Sequence, residues 1–249
     1  MSIITKTDAE IDLMREPCAI VRDTLAFVGE RISAGMSTKE VDELVERFIR
    51  AAGAYPSCLG YGGFPASAGV SVNEVVVHGI PDDKTILKDG DIVSVDLCAY
   101  KNGFHGDAAR TFLIGNVSEE KRLLVERTKE CFFKGIENLH AGTPLYDIGY
   151  RVQKYAESFG YGVIRSYTGH GIGREMHEDP AVPNYGRLGT GPRLKANTVI
   201  CIEPMISMGN YRVRILDDDW GAVTIDGSPA AHYENTVAVR EDGVEILTL

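Results

Sequence analysis

The fold is decided by two stretches: "ISAGMSTKEVDELVERFIRAAG" (residues 32–53) and "LHAGTPLYDIGYRVQKYAESFG" (residues 139–160). An offset of 107 positions lays Ile32, Ala34, Gly35, Glu40, Val41, Val45 and Gly53 on Leu139, Ala141, Gly142, Asp147, Ile148, Val152 and Gly160. In the first stretch Ser37 and Glu40 form a capping box, and Val41, Leu44, Val45, Phe48 and Ile49 recur at helical spacing. A further helix precedes each stretch. Residues 8–32 carry Ile11, Met14, Val21, Leu25, Val28 and Ile32; Pro17 is expected to break this helix near its start, and Gly35 to close it. Ser118 caps a second one, expected to run through Leu139. The shared order helix, Ala-Gly, helix, Gly points to an internal duplication.

After each helix pair the apolar period changes from helical to alternating. "VVVHGI", "DIVSVDLCAY", "FHGDAARTFLIG", "NTVICIEPMI", "WGAVTIDG" and "HYENTVAVR" are short and β-branched, and Asn102-Gly103 is a hairpin turn signal. Helices in sequential pairs and strands in hairpins imply an α+β fold, with a mainly antiparallel sheet and paired helices outside it. No linker separates the halves, so residues 1–249 are expected to form a single domain of two pseudo-symmetric halves.

Composition narrows the function. A formal net charge of -10 with no long basic run disfavours nucleic-acid binding. No apolar run is long enough to span a membrane, and the first residues lack the apolar core of a signal peptide. Cys18, Cys58, Cys98, Cys131 and Cys201 are odd in number and scattered, which fits a reducing, cytoplasmic setting and argues against a cysteine-built zinc site.

Four carboxylates stand where strands should be buried. In "DIVSVDLCAY" Asp96 shares a face with Ser94 and Cys98, and on the return strand Asp107 shares a face with His105, Ala109 and Thr111. A turn centred on Asn102-Gly103 pairs position 96 with 109, which makes Asp96 and Asp107 diagonal neighbours about 7–8 Å apart at Cα. Glu203 lies on the face of Val199 and Cys201, and Glu234 lines up with Thr236 and Ala238. Any one of them alone reads as a solvent-facing strand residue. Four converging carboxylates need counter-charge, which a divalent cation, or two, supplies. One imidazole, His170 in the glycine-rich "TGHGIG", turns this into a mixed N/O set suited to first-row divalent ions. His177 follows in the same loop, and His78 ends an apolar strand. His105, His140 and His232 read as ordinary core or surface histidines.

Asp96, Asp107, His170, Glu203 and Glu234, in this order and spacing, resemble the metal-binding set of the methionine aminopeptidases. "YTGHGIGREMHEDPAVPNY" resembles the signature of their type I subgroup, and "GGFPASAGVSVNEVVVHGIP" the segment before the first aspartate. The resemblance covers nearly the whole chain and implies the duplicated pita-bread (creatinase/aminopeptidase) fold in its minimal, bacterial-type form. It implies hydrolytic removal of N-terminal methionine from peptides and nascent proteins, with a small second residue preferred. Asp107 and Glu234 match the carboxylates bridging two divalent ions, which could be Co, Mn, Fe or Zn. Asp96 matches a ligand of one ion, and His170 and Glu203 ligands of the other. Glu203 is also the candidate proton shuttle, His177 matches the histidine near the scissile amide, and His78 one that positions substrate. Cys58, Tyr61, Phe64, Met176 and Trp220 match the methionine pocket. The family often has tyrosine at Phe64, phenylalanine at Met176 and glycine at Asp219. The expected partners are N-terminal peptides, met at the ribosome or free by a monomer, with no nucleic-acid or membrane contact. Alternatives are Xaa-Pro aminopeptidase or prolidase activity on the same fold, and a non-catalytic binding protein.

Overall fold

Two helix pairs form where the two stretches place them. The computed structural model describes residues 3–249, so Met1 and Ser2 of the expected 1–249 unit lie outside the described residues. Helix α1 is Asp8–Gly29, α2 is Thr38–Ala51, α3 is Glu119–Gly135 and α4 is Tyr146–Glu157. The Ser37/Glu40 capping box is present, and Ser118 caps α3. Three boundaries differ from expectation. Helix α1 runs unbroken through Pro17 and stops at Gly29, before Gly35, and α3 stops at Gly135 rather than Leu139. A mid-helix proline forfeits one hydrogen bond, at a cost of about 3 kcal/mol. Here Ile11, Met14, Pro17, Cys18 and Val21 are all buried on one face, and that packing holds the helix together.

The duplication extends beyond the helices. Before α2, Gly35 donates to the Leu87 carbonyl, Leu87 to that of Met36 and Thr38 to that of Thr85. Before α4, Gly142 donates to Leu194, Leu194 to Thr143 and Leu145 to Pro192. Every partner in the second set lies 107 positions after its counterpart. The caps differ: Pro144 stands where Ser37 would recur, and α4 begins without a side-chain cap.

The strands fall into several sheets rather than one, and every observed strand pairing is antiparallel. In the first half Ile92–Lys101 lies between Ala68–Val72 and Phe104–Leu113. In the second, Val199–Ile202 lies between Gly169–Gly171 and Asn235–Val239. Helices α1 and α2 cover the first of these sheets through Val21, Leu25, Val41 and Val45, packed on Val93, Val95 and Leu97. In the second half Phe132 of α3 and Ile148 of α4 pack on Ile200, Ile202 and Val237. Asp96, on the opposite face of its strand, and Glu203, just past the end of Val199–Ile202, occupy matching places, again 107 positions apart.

Candidate metal and peptide site

The hairpin register is the expected one. Asp96 pairs with Ala109 and Asp107 with Cys98, which sets the two aspartates diagonally on one face. Glu203 follows Val199–Ile202 directly, and Asn184 Nδ2 donates to its carbonyl at 2.9 Å. Glu234 precedes Asn235–Val239; its amide donates to the Ala109 carbonyl, and Arg110 donates to the Glu234 carbonyl at 2.5 Å. Backbone bonds from both halves thus bring the carboxylates to one cleft, of about 700 Å³.

His170 lies on the short strand Gly169–Gly171, not in a free loop as its glycines suggested. The glycines are there for close approach: a Cβ on Gly169 would come within 2.2 Å of the Cys201 carbonyl oxygen. His170 Nδ1 is 2.9 Å from the Gly171 carbonyl. A carbonyl only accepts, so Nδ1 carries the proton and Nε2 is left with a free lone pair. That Nε2 faces Asp107 Oδ2 at 3.9 Å and Glu203 Oε1 at 3.7 Å.

These separations exceed hydrogen bonds and match the spacing of atoms sharing an ion, given metal–ligand distances of about 2.0–2.2 Å. Asp107 Oδ1 and Glu234 Oε1 are buried with no hydrogen-bond partner. Asp107, His170, Glu234 and Cys201 each offer one ligand-type atom within 4.8 Å of the others. Burial, and then the neighbouring carboxylates, push Asp107, Glu203 and Glu234 well above the usual carboxylate range, and burial pushes Asp96 up to about 7. Burial drives His170 down to about 3, so its imidazole stays neutral. Orphaned acceptors, a bare imidazole nitrogen and mutually repelling carboxyls together fit a cation-binding centre. Cys201, on the face of Glu203, was not among the expected ligands. Burial and the surrounding carboxylates hold its thiol protonated, so it presents S–H rather than thiolate.

The remaining expected residues line the same cleft. Tyr61 Oη is 2.7 Å from His177 Nδ1, which leaves His177 Nε2 open; the His177 and His170 rings stand edge to face at 4.3 Å. His78 has φ 59, a left-handed conformation costly for a side chain of its size, and it packs against Tyr167 and Trp220. Phe64 and Trp220 meet edge to face at 5.1 Å, and Cys58 and Met176 also line the cleft. Asp219 has φ 64, which accounts for the glycine common at that place, since aspartate is among the few residues that tolerate it.

Two residues dismissed or passed over in the sequence belong here. His232 is fully buried beside Glu203, with both ring nitrogens unpartnered. Its position two residues before Glu234, in an alternating strand, was the available signal. Tyr167 lines the cleft and had none, because its neighbours are turn residues. By contrast His105 bonds Ser57 and His140 bonds the Ala141 carbonyl, as ordinary histidines do.

Residues 12–241 match the model of metallopeptidase family M24. The chain belongs to that family. An M24 relative, the methionine aminopeptidase of Clostridium acetobutylicum, is 55% identical over 247 residues, 99% of each chain. The crystal structure of methionine aminopeptidase from Rickettsia prowazekii superposes with a TM-score of 0.98 at 41% identity, covering 100% of both chains. Prolidase from Pyrococcus furiosus gives a TM-score of 0.78 at 26% identity, covering 99% of this chain and 66% of that one. The fold is the pita-bread fold these M24 proteins share, and no described helix is long and apolar enough to cross a membrane.

Proposed function

We propose that this M24 chain removes N-terminal methionine from peptides and nascent proteins, as one catalytic unit with a single cleft. The observation that carries the reading is the buried meeting of Asp107, His170 and Glu234, with unpartnered carboxylate oxygens, beside an apolar end built from Phe64 and Trp220. Asp96, Asp107, His170, Glu203 and Glu234 would hold two divalent ions of the Mn, Fe, Co or Zn type, which would supply Lewis acidity for activating water and polarising the scissile carbonyl. Glu203 takes the proton released on attack and delivers it to the departing amine. His177, its Nδ1 engaged by Tyr61, offers Nε2 to the scissile amide, and His78 holds the peptide beyond it. The methionine thioether fits an aromatic slot of Tyr61, Phe64 and Trp220, with Cys58 and Met176 at its wall, because sulfur packs well against ring edges. A small second residue is preferred. The enzyme works as a cytoplasmic monomer on emerging N-termini, at the ribosome or free of it, without nucleic-acid contacts.

The test incubates chelator-stripped protein with Met-Ala-Ser, Met-Leu-Ser and an Xaa-Pro peptide, before and after adding Mn, Fe, Co or Zn. Free methionine is expected from Met-Ala-Ser, only with metal. Preferential release before proline assigns the prolidase-type alternative, and no metal-dependent release from any peptide assigns the binding-protein alternative.

A further inference from the structure

Both ring nitrogens of His232 are buried without a hydrogen-bond partner, and the residue is only 1% exposed. A buried polar group without a partner is costly, so such cases ask for an explanation. Its backbone is not free to look for one. The His232 amide donates to Thr111 Oγ1, the Thr111 hydroxyl returns a bond to the His232 carbonyl, and the residue pairs with Met205 across the strand Ala230–His232. The ring is thereby aimed at Glu203, with Nε2 3.9 Å from Oε2. That gap is about 1 Å longer than a hydrogen bond.

Glu203 therefore stands between two imidazoles, with Oε1 toward His170 and Oε2 toward His232. They cannot play the same part. His170 spends its proton on the Gly171 carbonyl and has none to give Glu203. His232 has no such acceptor, and the Glu203 carboxyl group is the acceptor it faces. An imidazole carries at least one N–H to donate. We propose that His232 is a positioning residue whose Nε2–H donates to Glu203 Oε2, fixing the carboxylate so that Oε1 is held on the side of the bare His170 Nε2. The inference rests on the reading of Glu203 as an ion ligand. It gives the carboxylate's two oxygens different tasks: Oε2 accepts from His232 and keeps a second lone pair for the proton that Glu203 carries, and Oε1 is left for the ion.

The experiment titrates Co(II) into chelator-stripped, full-length protein by calorimetry, comparing wild type, His232→Leu and His232→Gln, with His170→Ala as control. Loss of an outer-shell partner costs about 10–100-fold in metal affinity, so His232→Leu is expected to bind Co(II) more weakly by that factor. His232→Gln keeps an N–H donor and should recover most of the loss. With saturating Co(II), kcat on Met-Ala-Ser falls in His232→Leu while KM holds. Wild-type Co(II) affinity in His232→Leu overturns the proposal. If His170→Ala also binds like wild type, the ligand reading itself fails, and that outcome is distinct from failure of the His232 role alone. Should His232→Leu not fold, ring-labelled histidine NMR of the Zn(II)-loaded wild type decides. An exchange-protected proton on His232 Nε2, assigned by its absence in His232→Gln, is expected; a proton on Nδ1 overturns the proposal.

Discussion

Replacing Glu234 by glutamine should make the metal-free protein progressively more stable than wild type as pH rises. Glu234 is buried, and burial first, then Asp107, Glu203 and Asp96, hold its carboxyl well above the usual range. In the unfolded chain it ionises near pH ~4.3. Above that value the unfolded state has lost this proton, while the metal-free native state holds it to higher pH. A raised native pKa means stability that is present at low pH and lost as pH climbs through the native value. Glutamine does not titrate, and the histidine and cysteine contributions are common to both proteins and largely cancel in the difference. The gap between variant and wild type should widen by up to about 1.4 kcal/mol per pH unit as pH rises from the unfolded value toward the raised native one. Removing one carboxyl also relieves Asp107 and Glu203, which changes the gap in the same direction. Urea unfolding of chelator-stripped proteins at several pH values in that interval measures it. Saturating divalent ion should invert the order, because wild type then gains binding energy that the variant largely lacks. Parallel stability profiles without metal would refute the reasoning: Glu234 would then be an ordinary ionised carboxylate and no repulsion would need an ion to relieve it.

His177→Ala should lower kcat about 100-fold with metal still bound, as steady-state kinetics and metal analysis of the same sample check; undiminished turnover removes His177 from the reaction. Lys6 and Glu178 form a buried pair at 2.5 Å, and Glu178 also accepts from the amides of Arg174 and Glu175, next to His177. Lys6→Met leaves that carboxylate unpaired and should cost about 3–5 kcal/mol in urea unfolding; a loss below about 1 kcal/mol would mean water already serves Glu178. Asp219→Gly should leave stability unchanged or slightly raised, whereas Asp219→Val, forced to φ near +64, should lose about 1–3 kcal/mol; equal effects would show the backbone relaxing there.

Much of the architecture was legible because it is written locally. The capping box at Ser37 and Glu40, the stripe of Val41 and Val45, and the Asn102-Gly103 turn act within a few residues of themselves. The turn also carried the register, which made Asp96 and Asp107 neighbours before any long-range contact was known. Pro17 misled for the complementary reason. A local rule breaks the helix there, and burial of Ile11, Met14 and Cys18 against distant strands overrides it. The same limit hid His232 and Cys201, whose surroundings are made by other segments.

The amino-acid order by itself determined the repeated helix pairs, the strand hairpin and the resemblance that marked five candidate ligand residues. Tertiary structure alone decided which nitrogen of His170 is bare, which carboxylate oxygens lack partners, and that His232 faces Glu203. Those properties depend on what occupies the few ångströms around an atom. In this chain that space is filled largely by segments remote in sequence, such as Thr111 clamping His232 and the Val199–Ile202 strand pressed against Gly169 beside His170.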